Sequence, residues 1–238
     1  MQGRFYDEES IVTPPVGEVI DGPVLVVFED RIMELLNKQF ELSPVGVIKE
    51  CAPATVYRIQ DKGIYVYQTP IGAPATAIFM ERAIALGAKK FLFFGSCGGL
   101  VPEIGSGKLI VPTSAYCAEG TSPFYAPING FTDMEGSGRI MELMDRNGLK
   151  YISGKVCSTD AMFRETKTFV ESLISKGCIG IEMECSLIST LSKCRKVFAA
   201  SILFTDDVLS EDSWSTYEKS TVLNHDTIDR IVSIVSEL

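Results

Sequence analysis

The chain has one histidine, no Cys-x-x-Cys pair, no run of Lys or Arg, and no apolar stretch of membrane-spanning length in its 238 residues. Each absence removes a class of function. A lone His225 and seven scattered cysteines cannot supply the spaced ligands of a zinc centre or the even pairing of a disulfide framework. Reduced, mostly buried thiols in a cytoplasmic protein are the simplest account. His225 falls in the polar entry to the last helix, so no Ser–His or Cys–His pair assembles and a serine or cysteine hydrolase is not expected. With a net charge of -9 and no basic cluster, the chain is a poor partner for nucleic acid. An apolar run of roughly 18 residues is needed for a membrane span, and none occurs; residues 1–9 also lack an apolar signal core.

What is present reads as strands alternating with helices. Val24-Leu-Val-Val-Phe28 is a buried-type strand, followed by a helix over 31–36. Segments 54–59 and 64–67 flank Asp61-Lys-Gly63, a hairpin turn. Residues 70–74 form a loop, and the helix over 76–86 closes at Gly87. The strand 90–94 runs into Gly95-Ser-Cys-Gly-Gly99, read as a turn. Strands follow at 108–111 and 155–158, with helices at 140–146 and 165–176. A strand over 179–184 precedes a helix from Cys185, and a long strand over 196–204 ends at Thr205-Asp206-Asp207. The tail from Asp226 carries a helical stripe. This order predicts an α/β fold: one domain over 1–238, with a mixed, mainly parallel central sheet flanked by helices and residues 1–20 as an extended arm.

Sites in such sheets gather at the C-terminal ends of strands. Four polar clusters fall there: Gly95–Gly99, Ser158-Thr-Asp160, Glu182/Glu184 and Thr205–Asp207. In Ile179-Gly-Ile-Glu-Met-Glu184 strict alternation puts both carboxylates on one face. Either that face meets a ligand such as a sugar, because buried unpaired charge is expensive, or this is an edge strand with a wet face. Ser96 and the amides of the glycine segment suit an anion, or the glycines serve a tight turn. The segment is neither GxGxxG nor GxxxxGK[ST], so a dinucleotide fold or a P-loop is not expected. Asp206 beside Asp207 suits a general acid with a raised pKa, or a helix N-cap.

Taken in order, these segments resemble the nucleoside phosphorylase and uridine phosphorylase superfamily, which includes purine nucleoside phosphorylases and methylthioadenosine nucleosidases. Pro70-Ile-Gly-Ala-Pro74, Leu86-Gly-Ala-Lys-Lys90, the Gly95–Leu100 segment and Gly120-Thr-Ser122 with Phe124-Tyr125 match its loops. Ser158-Thr-Asp-Ala-Met-Phe163, Glu182-Met-Glu184 and Thr205-Asp206 match its remaining motifs, so the likeness covers nearly the whole chain. The resemblance implies cleavage of a nucleoside N-glycosidic bond, with inorganic phosphate as co-substrate and no other cofactor. It gives Glu184 the ribose hydroxyls, supported by Met183 and Glu182, and gives the base to Phe163, Met162 and Ser158. Asp206 would protonate the departing base, and Ser96, Cys97, Gly98, Arg31 and Arg58 would hold phosphate or the attacking water. A homodimer or homohexamer is implied in the same way.

Three departures from the family pattern bear on the nucleophile and the base. Phosphorylases carry an arginine two residues before the glycine segment, where this chain has Phe93. The family's Gly-Asp-Pro-x-Arg loop is replaced by Phe28-Glu-Asp-Arg31. Its uracil-reading Gln-x-Arg is not found in 163–167. Phosphorolysis, hydrolysis by water, and non-catalytic nucleoside binding all remain open at the level of sequence.

Overall fold

Apolar periodicity and turn residues divide the chain into short strands and helices that repeat along its length. The computed structural model describes residues 6, 8–17, 19–50, 52–101, 104–105, 107–210, 213–216 and 222–238. In chain order these give β1 (Val24–Val27), α1 (Asp30–Gln39), β2 (Leu42–Ile48), β3 (Ala54–Ile59), β4 (Ile64–Gln68) and α2 (Ala73–Ala85). Then come β5 (Lys90–Gly99), β6 (Leu109–Ala118), β7 (Phe131–Asp133), α3 (Ser137–Arg146), β8 (Ile152–Thr159) and α4 (Lys167–Ser175). The last elements are β9 (Cys178–Glu182), α5 (Cys185–Arg195), β10 (Phe198–Leu209), β11 (Trp214–Thr216) and α6 (His225–Ser236).

The strands make one sheet in the order β11-β10-β6-β8-β9-β5-β1-β4-β3-β2, with β7 on β6. Side-chain alternation sorts two cores. Val24, Val26, Phe91 and Phe93 pack into one core with α2 and α5. Leu25, Val27, Leu92 and Phe94 pack into the other, with α1, α3 and α6. The α/β class with helices on both faces is therefore as expected. The sheet is mixed, as expected. β1–β4, β1–β5, β5–β10, β6–β8 and β8–β9 are parallel. β2–β3, β3–β4, β5–β9, β6–β7, β6–β10 and β10–β11 are antiparallel. Because β5 also pairs with β10, strands β5, β10, β6, β8 and β9 close into a ring.

Three local readings need correction. Gly95–Gly99 is not a turn but the second half of β5, paired with Leu203–Val208 of β10. Thr205–Asp207 does not end β10 but lies inside it, at a bulge where Asp206 is the extra residue. β9 stops at Glu182, and Glu184 is the N-cap of α5 rather than a strand residue. The loop before α2 is also shorter than expected, since the helix begins at Ala73. In the amino-terminal arm, residues 1–5, 7 and 18 lie outside the described residues. Ile11 and Val12 are exposed, and Gly17, Val19 and Ile20 bond the carbonyls of Ala85 and Leu86 at the end of α2.

Candidate active site

Strand β1 ends at Val27, while its neighbour β5 continues to Gly99. Antiparallel β9 meets β5 only at Gly98 and Gly99. Along that edge of β5, residues 95–97 therefore have no strand partner, and a cleft of about 160 Å³ opens beside them. Its floor is Gly95, Ser96, Cys97 and Gly98. Phe28 and Glu29 after β1, and Ile71 before α2, close one side. Met162, Glu165 and Asp207 close another, and Glu182, Met183 and Glu184 form the wall at the start of α5.

Glu182 is only 6% exposed, yet its carboxylate is fully used. Oε1 accepts from Ser158 Oγ at 2.5 Å, and Oε2 accepts from the amides of Glu184 and Cys185 at 2.6 and 2.7 Å. A carboxylate on the free amides of a helix N-terminus meets both hydrogen-bonding and dipole requirements. Burial still pushes the Glu182 carboxyl upward, against those donors. Glu184, 7% exposed, turns the other way and accepts from Gly72 N at 2.5 Å. Gly72 has φ +106°, a conformation that side chains disfavour, and in it the amide donates to Glu184. Burial, then the charge of Glu182, raises the Glu184 carboxyl to about 8.

Across the cleft, burial raises the Glu165 carboxyl to about 7, with Asp207 adding to the shift. Burial raises Asp207 as well, against a hydrogen bond of 2.6 Å from Trp214 Nε1 to its Oδ2. The Cys97 thiol is pushed far up by burial and then by neighbouring carboxylates, which leaves it an inert wall atom.

Of the residues singled out from the sequence, Ser96, Cys97, Gly98, Met162, Glu182, Met183 and Glu184 come together here. Five do not line the cleft. Ser158 is sealed behind it at 0% exposure, where its hydroxyl donates to Glu182 and accepts from Ser186 N at 2.8 Å. Its hydroxyl is turned to Glu182 and not to the cleft. In the 3-10 turn Met162–Arg164, Met162 faces the cleft while Phe163 is 85% exposed. Residues three apart eclipse in such a turn, which puts Glu165, not Phe163, beside Met162. Arg31 is bound to Glu29 and makes a two-pronged pair with Asp206, at 2.7 and 3.2 Å. Neither Arg31 nor Asp206 is part of the cleft wall. Arg58 is on β3, over the Tyr65 ring, and does not line the cleft. Phe93, at the family's arginine position, is a core residue stacked on Phe91.

The residues missed from the sequence are Phe28, Glu29, Ile71, Glu165 and the cleft-facing role of Asp207. Glu165 had no signal, because a glutamate in a polar stretch looks like solvated surface. Among the described residues, no Lys, Arg or His lines the cleft, no group of three or more His, Cys, Asp or Glu could hold a metal, and no helix is long and apolar enough to cross a membrane. Cys97, Cys117, Cys157, Cys178, Cys185 and Cys194 are free thiols, and Cys51 lies outside the described residues.

Comparison with known proteins bears on the fold and the family. A guanosine phosphorylase from Halorubrum lacusprofundi is 27% identical over 143 residues, 59% of this chain and 59% of that protein. A uridine phosphorylase from Thermococcus kodakarensis is 36% identical over 102 residues, 42% of this chain and 37% of that protein. These matches thus span well under two thirds of either relative. Among solved structures, purine nucleoside phosphorylase from Toxoplasma gondii, in complex with immucillin-H, superposes with a TM-score of 0.76 at 22% identity, covering 97% of this chain and 98% of that one. AMP nucleosidase from Bacteroides thetaiotaomicron superposes with a TM-score of 0.70 at 20% identity, covering 92% and 89%. At those identities the structures speak for the fold alone. The model of the Phosphorylase superfamily matches residues 24–235, nearly the whole chain, and on that match the chain belongs to the nucleoside phosphorylase superfamily.

Proposed function

We propose that this protein cleaves the N-glycosidic bond of a nucleoside and transfers the pentosyl group to inorganic phosphate, releasing the free base and a pentose 1-phosphate. The observation that carries this reading is Glu184: a nearly buried carboxyl aimed into the cleft, held by Gly72 N and flanked by Met183. A carboxylate accepts two vicinal hydroxyls as paired hydrogen bonds, which suits ribose. As the base departs the sugar becomes cation-like, and nearby carboxylate charge stabilises it. Met183 packs on the apolar side of the sugar and Met162 on the base. Ser96, with the open edge of β5 over residues 95–97 and Gly98 beside it in the cleft floor, is the place for the nucleophile. The departing base needs a proton. The family likeness gives that task to Asp206, whose carboxylate is paired with Arg31. Arg58, whose Nε is buried without a hydrogen-bond partner, is the cation a neighbouring copy would receive in a homodimer or homohexamer.

A second reading, hydrolysis by water, is favoured by one observation. Among the described residues the cleft wall holds five carboxylates and no Lys, Arg or His to neutralise a phosphate. Base release from inosine, guanosine, adenosine, uridine and methylthioadenosine, with and without phosphate, decides between them. Phosphorolysis predicts that release requires phosphate and yields pentose 1-phosphate. Release at the same rate without phosphate, with free ribose as product, overturns it in favour of water.

A further inference from the structure

The acid nominated by family likeness sits outside the cleft, while Glu165 and Asp207 are among the five carboxyls inside it. The bulge in β10 is the cause. Thr205 pairs with Cys97 and Asp207 with Gly98, so Asp206 is skipped by the ladder and its side chain goes to Arg31. Asp207 takes the ladder position that faces the cleft. Its seat is built. A Cβ on Gly98 would lie 3.2 Å from Asp207 Oδ1, so only glycine leaves that oxygen its full room. Trp214 Nε1 fixes the other oxygen at 2.6 Å. Glu165 lines the same cleft, just before α4.

We infer that Glu165 and Asp207 form an acid pair that holds one proton in the cleft and delivers it to the departing base. This rests on the proposed glycosidic cleavage. The C1′–N bond breaks with its electron pair passing to the base, and the proton leaves Glu165 for that base. A phosphate oxygen, or water on the second reading, closes on C1′. The proton then lost by the new phosphate monoester, or by the attacking water, restores the pair through solvent. Two carboxyls in a confined space cannot both ionise freely, so one stays protonated to higher pH. The ionisable groups around the pair favour this: Glu29 after β1, Cys97 on β5, Cys157 on β8, Glu182 on β9, Glu184 at the start of α5, and Asp206, whose charge helps to raise Asp207. Among the described residues, none that lines the cleft is a cation, and Arg31 is committed to Asp206 and Glu29. Burial, then Asp207, holds the Glu165 carboxyl at about 7, so the donor is present at neutral pH and lost above it.

Two measurements test this. The first is the pH profile of kcat/KM on the best nucleoside for the wild type, E165Q, D207N and D206N. The expected wild-type profile falls on the alkaline side of about 7. E165Q, close in shape to the native residue, should lose that limb and on the order of 100-fold in rate at neutral pH. D206N should keep the limb. The second needs no turnover. Trp214 is the chain's one tryptophan and bonds Asp207, so its fluorescence reports the pair. The wild-type emission should show a step near neutral pH that E165Q and D207N abolish or displace. An active wild type whose alkaline limb survives E165Q overturns the pair and leaves the reaction standing. Loss of the limb in D206N alone also overturns it, in favour of Asp206. A wild type that releases no base at any pH, with its fluorescence step intact, overturns the proposed reaction and with it the catalytic use of the pair.

Discussion

At the scale of the residue, the proposed sugar contact rests on the state of one carboxyl, Glu184. Burial and the neighbouring Glu182 raise it to about 8, so at neutral pH it is largely protonated before a ligand arrives. Hydroxyl donors favour the ionised form and lower that value on binding. Nucleoside binding near pH 7 should therefore release protons, and affinity should tighten as pH rises toward 8. Titration calorimetry in two buffers of different ionisation enthalpy reads the released fraction, and E184Q should remove it. Wild-type binding with no proton release would show that Glu184 does not meet the hydroxyls. The alternation of Ile179, Ile181 and Met183 with the two glutamates left a covered face and a wet edge strand both open, and the structure buries both carboxyls. The alternation could not show that β9 ends at Glu182, because the next two residues turn to cap α5, a choice made by Ser158 and two amides. Glu165 and Asp207 were illegible as a pair for the same reason: they come together only through the tertiary fold.

At the scale of the element, β5 is where local reading failed most usefully. Glycine weakens strands, so Gly95-Ser-Cys-Gly-Gly99 reads as a turn. In the fold each of those glycines answers a close approach. A Cβ at Gly95 would sit 2.7 Å from the Phe28 ring, at Gly98 2.6 Å from Leu209 Cδ1, and at Gly99 2.6 Å from Ile104 O. The contacts differ in what can yield. Leu209 Cδ1 is the end of a flexible side chain, whereas Ile104 O is backbone. Gly99→Ala should therefore destabilise the protein by roughly 1–3 kcal/mol through overpacking, and Gly98→Ala by less. Urea unfolding of the two variants checks the order, and equal losses would refute the argument. β2 was missed on similar grounds: Pro44 and Gly46 interrupt its pattern, and the structure absorbs them as a bulge between Pro44 and Gly46 against β3. Helices were easier, since an apolar stripe and a glycine stop are local signals; α1, α2, α3, α4 and α6 fall close to their expected places.

At the scale of the whole molecule, the class of fold follows from the alternation of strands and helices, while the ring of five strands does not. Its closure depends on β10 pairing with β5, more than 90 residues apart in sequence, and no local periodicity encodes such a partner. That closure crowds acids into one end of the sheet and leaves a signature on overall stability. Glu165 and Glu184 have folded values of about 7 and about 8, both raised from an ordinary 4.5. A carboxyl raised in the folded state binds more protons there than in the unfolded chain at intermediate pH. Stability then falls with rising pH. The contribution is fully present below about 4.5 and is lost as pH climbs through 7 and 8. The burial of Glu182 and Asp207 acts in the same direction. Unfolding free energy measured in urea at pH 5.5, 7 and 8.5 should therefore decline across the series. The double variant E165Q/E184Q, which cannot ionise at either position, should decline less. A general self-repulsion of the net charge of -9 would lower stability with pH in both proteins alike. The difference between the two slopes thus isolates the cleft, and identical slopes would mean that neither glutamate holds its proton in the folded protein.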